Sequence, residues 1–125
     1  MRNSFKVLVV LAFSPATFSQ GQSAVNADVI IRAAEDTYLE RIQNNREQHR
    51  SCAFSYVQSA VKQTKESAES IVAAAFHSCR RYETEFRQLL ENGPQSVTGM
   101  QREQIVSLRM RRIREELLSK IVELR

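Results

Sequence analysis

Two cysteines, Cys52 and Cys79, flank the polar stretch 63–66 (QTKE), and the point midway between them falls within it, between Lys65 and Glu66. That symmetry limits the folds open to the chain more than any other feature. If the polar stretch turns the chain between two antiparallel helices, residues equally far from it reach the same height, because every residue adds the same 1.5 Å of rise. Cys52 then faces Cys79, and the same rule sets Tyr56 beside Ala75, His49 beside Tyr82, Asn45 beside Phe86 and Ile42 beside Leu89. A large side chain meets a small one in the first of these pairs, as interdigitating helices prefer. A Cys52–Cys79 bridge closing a loop of this length is expected to stabilise the fold by about 3.5 kcal/mol on the chain-entropy account.

The apolar pattern predicts the helices that this arrangement needs. Advancing 100° per residue from Tyr38 brings Ile31, Ala34, Ile42, Asn45, His49, Cys52, Tyr56 and Ala60 onto one face, which predicts one continuous helix over 28–62. The stretch 43–51 (QNNREQHRS) holds no apolar residue, so a break there is the competing reading; the phase kept across it favours continuity. A second helix is expected over 67–91, where Ala68, Ile71, Val72, Ala75, Cys79, Tyr82, Phe86, Leu89 and Leu90 recur at three- and four-residue steps. Ser67 suits its N-cap, and Asn92, Gly93 and Pro94 close it, Gly93 being suited to the left-handed residue after a helix. A third helix is predicted over 98–125, with Thr98 and Gln101 at capping-box spacing. Alternating β-branched runs bounded by turn dipeptides are absent after residue 19. The fold class expected is therefore all-α: a disulfide-pinned antiparallel helical hairpin carrying a third amphipathic helix, a small three-helix bundle.

A disulfide requires an oxidising compartment, and the start of the chain supplies an address. Arg2 and Lys6, the apolar run 7–13 (VLVVLAF) and the small or polar residues after Pro15 read as a secretory signal peptide over 1–19. Cleavage after Ser19 fits best, with Ala16 and Ala24 as alternatives. The run is far shorter than the roughly 20 apolar residues of a spanning helix. Residues 20–27 are expected to be a disordered mature N-terminus, and 28–125 a single helical domain, periplasmic or secreted. The full chain holds 18 basic and 14 acidic residues. Removing 1–19 takes Arg2 and Lys6 and no acid, so 18 becomes 16 against 14, a net charge of about +2. So small a surplus argues against a nucleic-acid partner.

The cysteines have a sharper alternative reading, since with His49 and His77 they compose a Cys₂His₂ set. His77 and Cys79 are two residues apart, however, and point about 200° apart on a helix. No metal site is expected, nor any cofactor. Phosphate-binding glycine loops, HExxH and GxSxG are missing, and the adjacent acids Glu35 and Asp36, or Glu115 and Glu116, diverge on a helix. Catalysis is not expected.

The third helix carries what surface signal there is. Val106, Met110, Ile113, Leu117, Ile121 and Leu124 form the stripe expected to pack on the hairpin, while Leu108, Leu118 and Val122 form a second line, a candidate contact for a partner or a second copy. Arg109, Arg111, Arg112 and Arg114 are candidate contacts for an anionic surface such as a lipid membrane. Against that, Arg111 precedes Glu115, Arg112 precedes Glu116, and Glu116 precedes Lys120 by four residues, the spacing of ion pairs along one helix.

The stretch 68–79 (AESIVAAAFHSC), with Cys52 upstream in a helical setting, resembles small uncharacterised exported helical bacterial proteins with two cysteines. The likeness spans about residues 51–90. It implies a helical, disulfide-bonded envelope or secreted protein and no activity. The function expected is contact with another protein, the alternative being a peripheral module on an anionic surface.

Overall fold

The computed structural model describes the backbone of residues 2–125, and side chains from Val29 onward except Ile31. The signal segment 1–19, its cleavage alternatives and the stretch 20–27 lie outside the residues whose side chains are described. Among the described residues no helix is long and apolar enough to cross a membrane. The chain divides into two units, Met1–Thr37 and Tyr38–Arg125. In the first, Val29 and Ile30 are exposed and the Thr37 hydroxyl donates to the Ala33 carbonyl at 2.8 Å. The second holds the core and the site.

Among the described residues the protein is all-helical, with four helices: α1 (Arg2–Gln63), α2 (Ala68–Ser78), α3 (Arg80–Glu91) and α4 (Gly99–Leu124). Helix α1 runs unbroken through 43–51. Asn45 and His49 are the reason that polar stretch belongs in it, because they lie on the inward face and are buried. The helix stops where the Thr64 hydroxyl accepts from the Glu66 N–H at 3.1 Å, a local turn that competes with a further helical turn. Ser67 then caps α2, accepting from the Ser70 N–H at 3.2 Å. The box at α4 is reciprocal: Thr98 Oγ1 accepts from the Gln101 N–H at 3.1 Å and Gln101 Oε1 from the Thr98 N–H at 3.0 Å. At the other end of α4, Arg125 donates to the Glu66 carbonyl at 2.6 Å and ties the chain end to the α1–α2 turn.

The helix expected over 67–91 is two helices. Cys79 leaves helical geometry at φ −102° and ψ 15°; its N–H still reaches the Ala75 carbonyl at 3.0 Å, and its own carbonyl accepts from the Tyr82 N–H at 3.1 Å. No glycine or proline marks the place, and the apolar phase runs straight across it. The break coincides with the covalent bond between Cys79 and Cys52, whose Cα atoms lie 6.0 Å apart. The role expected for Gly93 also differs. No described glycine has a positive φ. At Gly93 a Cβ would sit 2.6 Å from the outer end of the Tyr38 side chain; the residue makes room for an aromatic side chain of α1, which any larger residue would displace.

Two apolar clusters form the interior. The larger takes Ala53 and Val57 from α1, Ile71, Val72 and Ala75 from α2, then Cys79, and Ile113, Leu117 and Ile121 from α4. The smaller joins Phe86 and Leu90 of α3 to Val106 of α4, flanked by Ile42 and Met110. Along α1 and α4 the polar residues Asn45, His49 and Arg109 stand between them, 4, 0 and 8 % exposed. Burial of the stripe from Val106 to Ile121 follows the α4 periodicity, but Leu124 at its end is exposed.

Candidate functional site

The polar layer between the two clusters is the starting point, because burying an ionised side chain costs several kcal/mol unless it is paired. Arg109 is carried inward by its place on α4, three residues from Val106 and four from Ile113. One terminal nitrogen donates to Asn45 Oδ1 and the other to the Ile42 carbonyl at 3.3 Å. Its guanidinium carbon lies over the Phe86 ring, 3.3 Å from the centroid. Asn45 is committed in turn, its amide donating to the Tyr82 carbonyl at 3.1 Å and to Glu85 Oε2 at 3.3 Å. Among the described residues no carboxylate lies within ion-pair distance of Arg109. Burial, with the Arg46 charge adding to it, lowers the Arg109 pKa to about 10, so the side chain stays a cation at neutral pH.

His49 is the third member. Its ring stacks on Tyr82, with centroids 6.0 Å apart, and meets Phe76 edge-on at 6.3 Å. Neither ring nitrogen has a hydrogen-bond partner among the described residues. Burial, aided by the Arg109 charge and opposed by Glu83, pushes its pKa below the ordinary histidine value. A neutral imidazole is what such surroundings favour.

Arg109 forms the floor of a groove of about 410 Å³ between α1 and α4. Arg46, Arg50 and Arg112 edge it, Glu116 is its one acid, and Ile42, Phe86, Ile105, Leu108 and Ile113 supply apolar wall. Arg50 is held to Glu116 at 2.6 Å and to Glu47 at 3.2 Å. Arg46 reaches only Glu47, at 3.7 Å, and Arg112 has no ion-pair partner among the described residues. Four guanidinium groups against one carboxylate make the groove a cationic, partly apolar cleft.

The residues singled out in the sequence are divided by the structure. Cys52 and Cys79 are joined as a disulfide. Leu108, Arg109 and Arg112, from two separate expectations, come together in the groove. Arg109 is buried, so it is not a surface cation: its direction on α4 is that of the core stripe. Arg111 and Arg114 are exposed away from the groove, and Arg114 pairs with Glu69 of α2. Leu118 is half-buried against the larger cluster, whereas Val122 is 77 % exposed. Ion pairing also runs otherwise than the four-residue spacings suggest. Glu116 pairs across to Arg50 and Lys120 with Glu123 at 3.5 Å, and Arg87 of α3 joins Glu83 to Glu103 of α4. His77 is exposed and touches Arg80 at 3.1 Å, apart from buried His49, and among the described residues no three His, Cys, Asp or Glu are grouped to hold a metal.

Sequence reasoning missed Arg46, Arg50 and Ile105. The signal was present, since Ile42, Arg46 and Arg50 recur every four residues on one face of α1. What hid it was the all-polar look of 43–51, which invited a question about helix continuity instead of about the face it presents. No protein-family model, curated protein or solved structure matches the chain.

Proposed function

We propose that this is a non-catalytic helical protein, exported through its N-terminal segment, that acts by contact with another protein, and that the α1–α4 groove makes the contact. In this reading α1 and the α2–α3 arm act as a hairpin pinned by Cys52–Cys79, with α4 docked on it to complete the groove. The observation that carries the proposal is Arg109, a buried guanidinium with no carboxylate partner among the described residues, at the floor of a cleft edged by three more arginines. Such a floor favours an anionic side chain from outside, since charge-assisted bonds to guanidinium are the stronger kind. Ile105 and Leu108, about two-fifths exposed, ask for apolar cover next to that charge. The occupant with both properties is an acidic amphipathic helix of a partner protein, laid along the groove with its Asp or Glu side chains over Arg46, Arg109 and Arg112.

Fluorescence anisotropy with a labelled helical peptide carrying Glu and Leu on one face tests this. Binding is expected at low salt, weakening as salt rises, reduced by Arg112→Glu and by Leu108→Ser, and absent for the peptide with Lys in place of Glu. No binding of the acidic peptide at low salt overturns the proposal. Binding to anionic vesicles in preference to the peptide also overturns it, and moves the function to a membrane surface that Arg111, Arg112 and Arg114 would contact.

A further inference from the structure

On the other side of the Asn45–Arg109 bond lies a second recess, about 470 Å³, between α1 and the end of α3. Its size falls within the roughly 300–1,000 Å³ of small-molecule sites. Its lining is of a different kind. Asn44 and Gln48 of α1 face Gln88 of α3 and Asn92 beyond it, and among the described residues none of these four carboxamides uses its side chain in a hydrogen bond within the protein. Each offers donors and an acceptor a short distance apart. Charge is balanced, with Arg41 on one wall and Glu85 on the other.

The floor and one wall are fixed. Asn45, 4 % exposed, is held by Arg109, Tyr82 and Glu85, and its amide fixes Glu85 Oε2 at 3.3 Å, leaving the other carboxylate oxygen to accept from a ligand. The outer end of the Tyr38 ring lies close over Gly93, which has no Cβ to strike it, and with half-buried Leu89 the ring supplies apolar surface beside the amides. A ligand matching this lining has no net charge, many groups that both donate and accept, and a C–H face to lie on an aromatic ring. The geometry points to a neutral saccharide, bound by the four carboxamides and Glu85 with one sugar face on Tyr38. This site is separate from the arginine groove and does not depend on what fills it.

The test is an NMR titration of the oxidised ¹⁵N-labelled protein with N,N′,N″-triacetylchitotriose, maltotriose and cellotriose to millimolar concentration, read at the side-chain amides. With at least one trisaccharide, the amide signals of Asn44, Gln48, Gln88 and Asn92 are expected to shift saturably, with an affinity unchanged between low and high salt. Gln88→Ala, at an exposed position, and Tyr38→Ala are each expected to weaken binding on the order of tenfold, while Leu108→Ser in the other groove leaves it unchanged. Absence of a saturable shift with all three sugars overturns the inference. So does binding that survives both Gln88→Ala and Tyr38→Ala, or that falls steeply as salt rises.

Discussion

Replacing both cysteines by alanine removes the disulfide cross-link between α1 and the α2–α3 arm, and its effect follows from the loop it closes. The bonded residues are 27 apart, for which the loop-closure relation gives about 12 cal/mol/K of lost entropy in the unfolded chain, or about 3.5 kcal/mol at 25 °C. Little else changes in the folded state. Cys79 is fully buried and Cys52 half-buried, so alanine leaves a void of at most one atom at each site, on the order of 1 kcal/mol together. For a packed unit spanning Tyr38–Arg125, each kcal/mol moves Tm by roughly 4–8 °C, so the combined loss should lower Tm by roughly 20–35 °C. Circular dichroism at the helical band, followed through heating with and without reductant, reads this directly. Cys52→Ser and Cys79→Ser should each act nearly as strongly as the pair, because either one opens the loop. A fall below about 5 °C, or two single variants that differ widely, would refute the reasoning, since the bond would then not be constraining the unfolded chain.

Leu117→Ala is expected to cost about 2–5 kcal/mol in urea unfolding, because the side chain is 0 % exposed within the larger cluster. Gly93→Ala should destabilise by about 1 kcal/mol or less, because the added Cβ displaces the half-exposed end of the Tyr38 side chain, and a double-mutant cycle with Tyr38→Ala should recover most of that loss. His49 fixes a pH dependence. Its pKa is lowered by burial, so the unfolded chain binds the proton more readily; its contribution is complete above the ordinary histidine value and is lost as pH falls from about 6.5 through the lower folded value. Urea titrations between pH 5 and pH 8 should show that decline, and His49→Leu should flatten it with no loss of stability at pH 7, because neither ring nitrogen has a hydrogen bond to forfeit among the described residues.

Much of the helical scheme could be read from the chain because it rests on periodicity. The phase carried from Tyr38 to Ala60 marked Asn45 and His49 as inward although both are polar, and the position of Ser67, and of Thr98 with Gln101, marked two helix starts. The pairing of His49 with Tyr82 and Cys52 with Cys79 followed from equal distances to one turn. The break at Cys79 was not legible, since it coincides with a tertiary bond and no local breaker residue accompanies it. Nor was the use of Gly93, whose sequence context reads as a helix stop while its tertiary context is the Tyr38 ring. The arginines of α4 were visible as a group, but whether each faces water or the interior depends on the orientation of α4 against its neighbours. One step along the helix separates buried Arg109 from the exposed side.

The placement of Arg109 bears on why the chain combines a bond and a polar layer. Apolar replacement of buried polar or ionic groups is often neutral or stabilising by about 1–4 kcal/mol, so Asn45, His49 and Arg109 occupy positions where leucine or methionine would hold the helices together at least as well. The contribution estimated for Cys52–Cys79 is of the same size. The disulfide can therefore offset what the layer gives up, and it does so from within the larger cluster, at the last buried position before α3 diverges towards the smaller one. A layer kept for stability alone would place a carboxylate beside Arg109. Here the cation is left open to the groove on one side, and Asn45, which holds it, forms the wall of the recess on the other. Of the three buried polar residues, Arg109 lines the groove and Asn45 the recess, while His49 lines neither, so two of the three positions give up apolar packing where a concave surface is shaped.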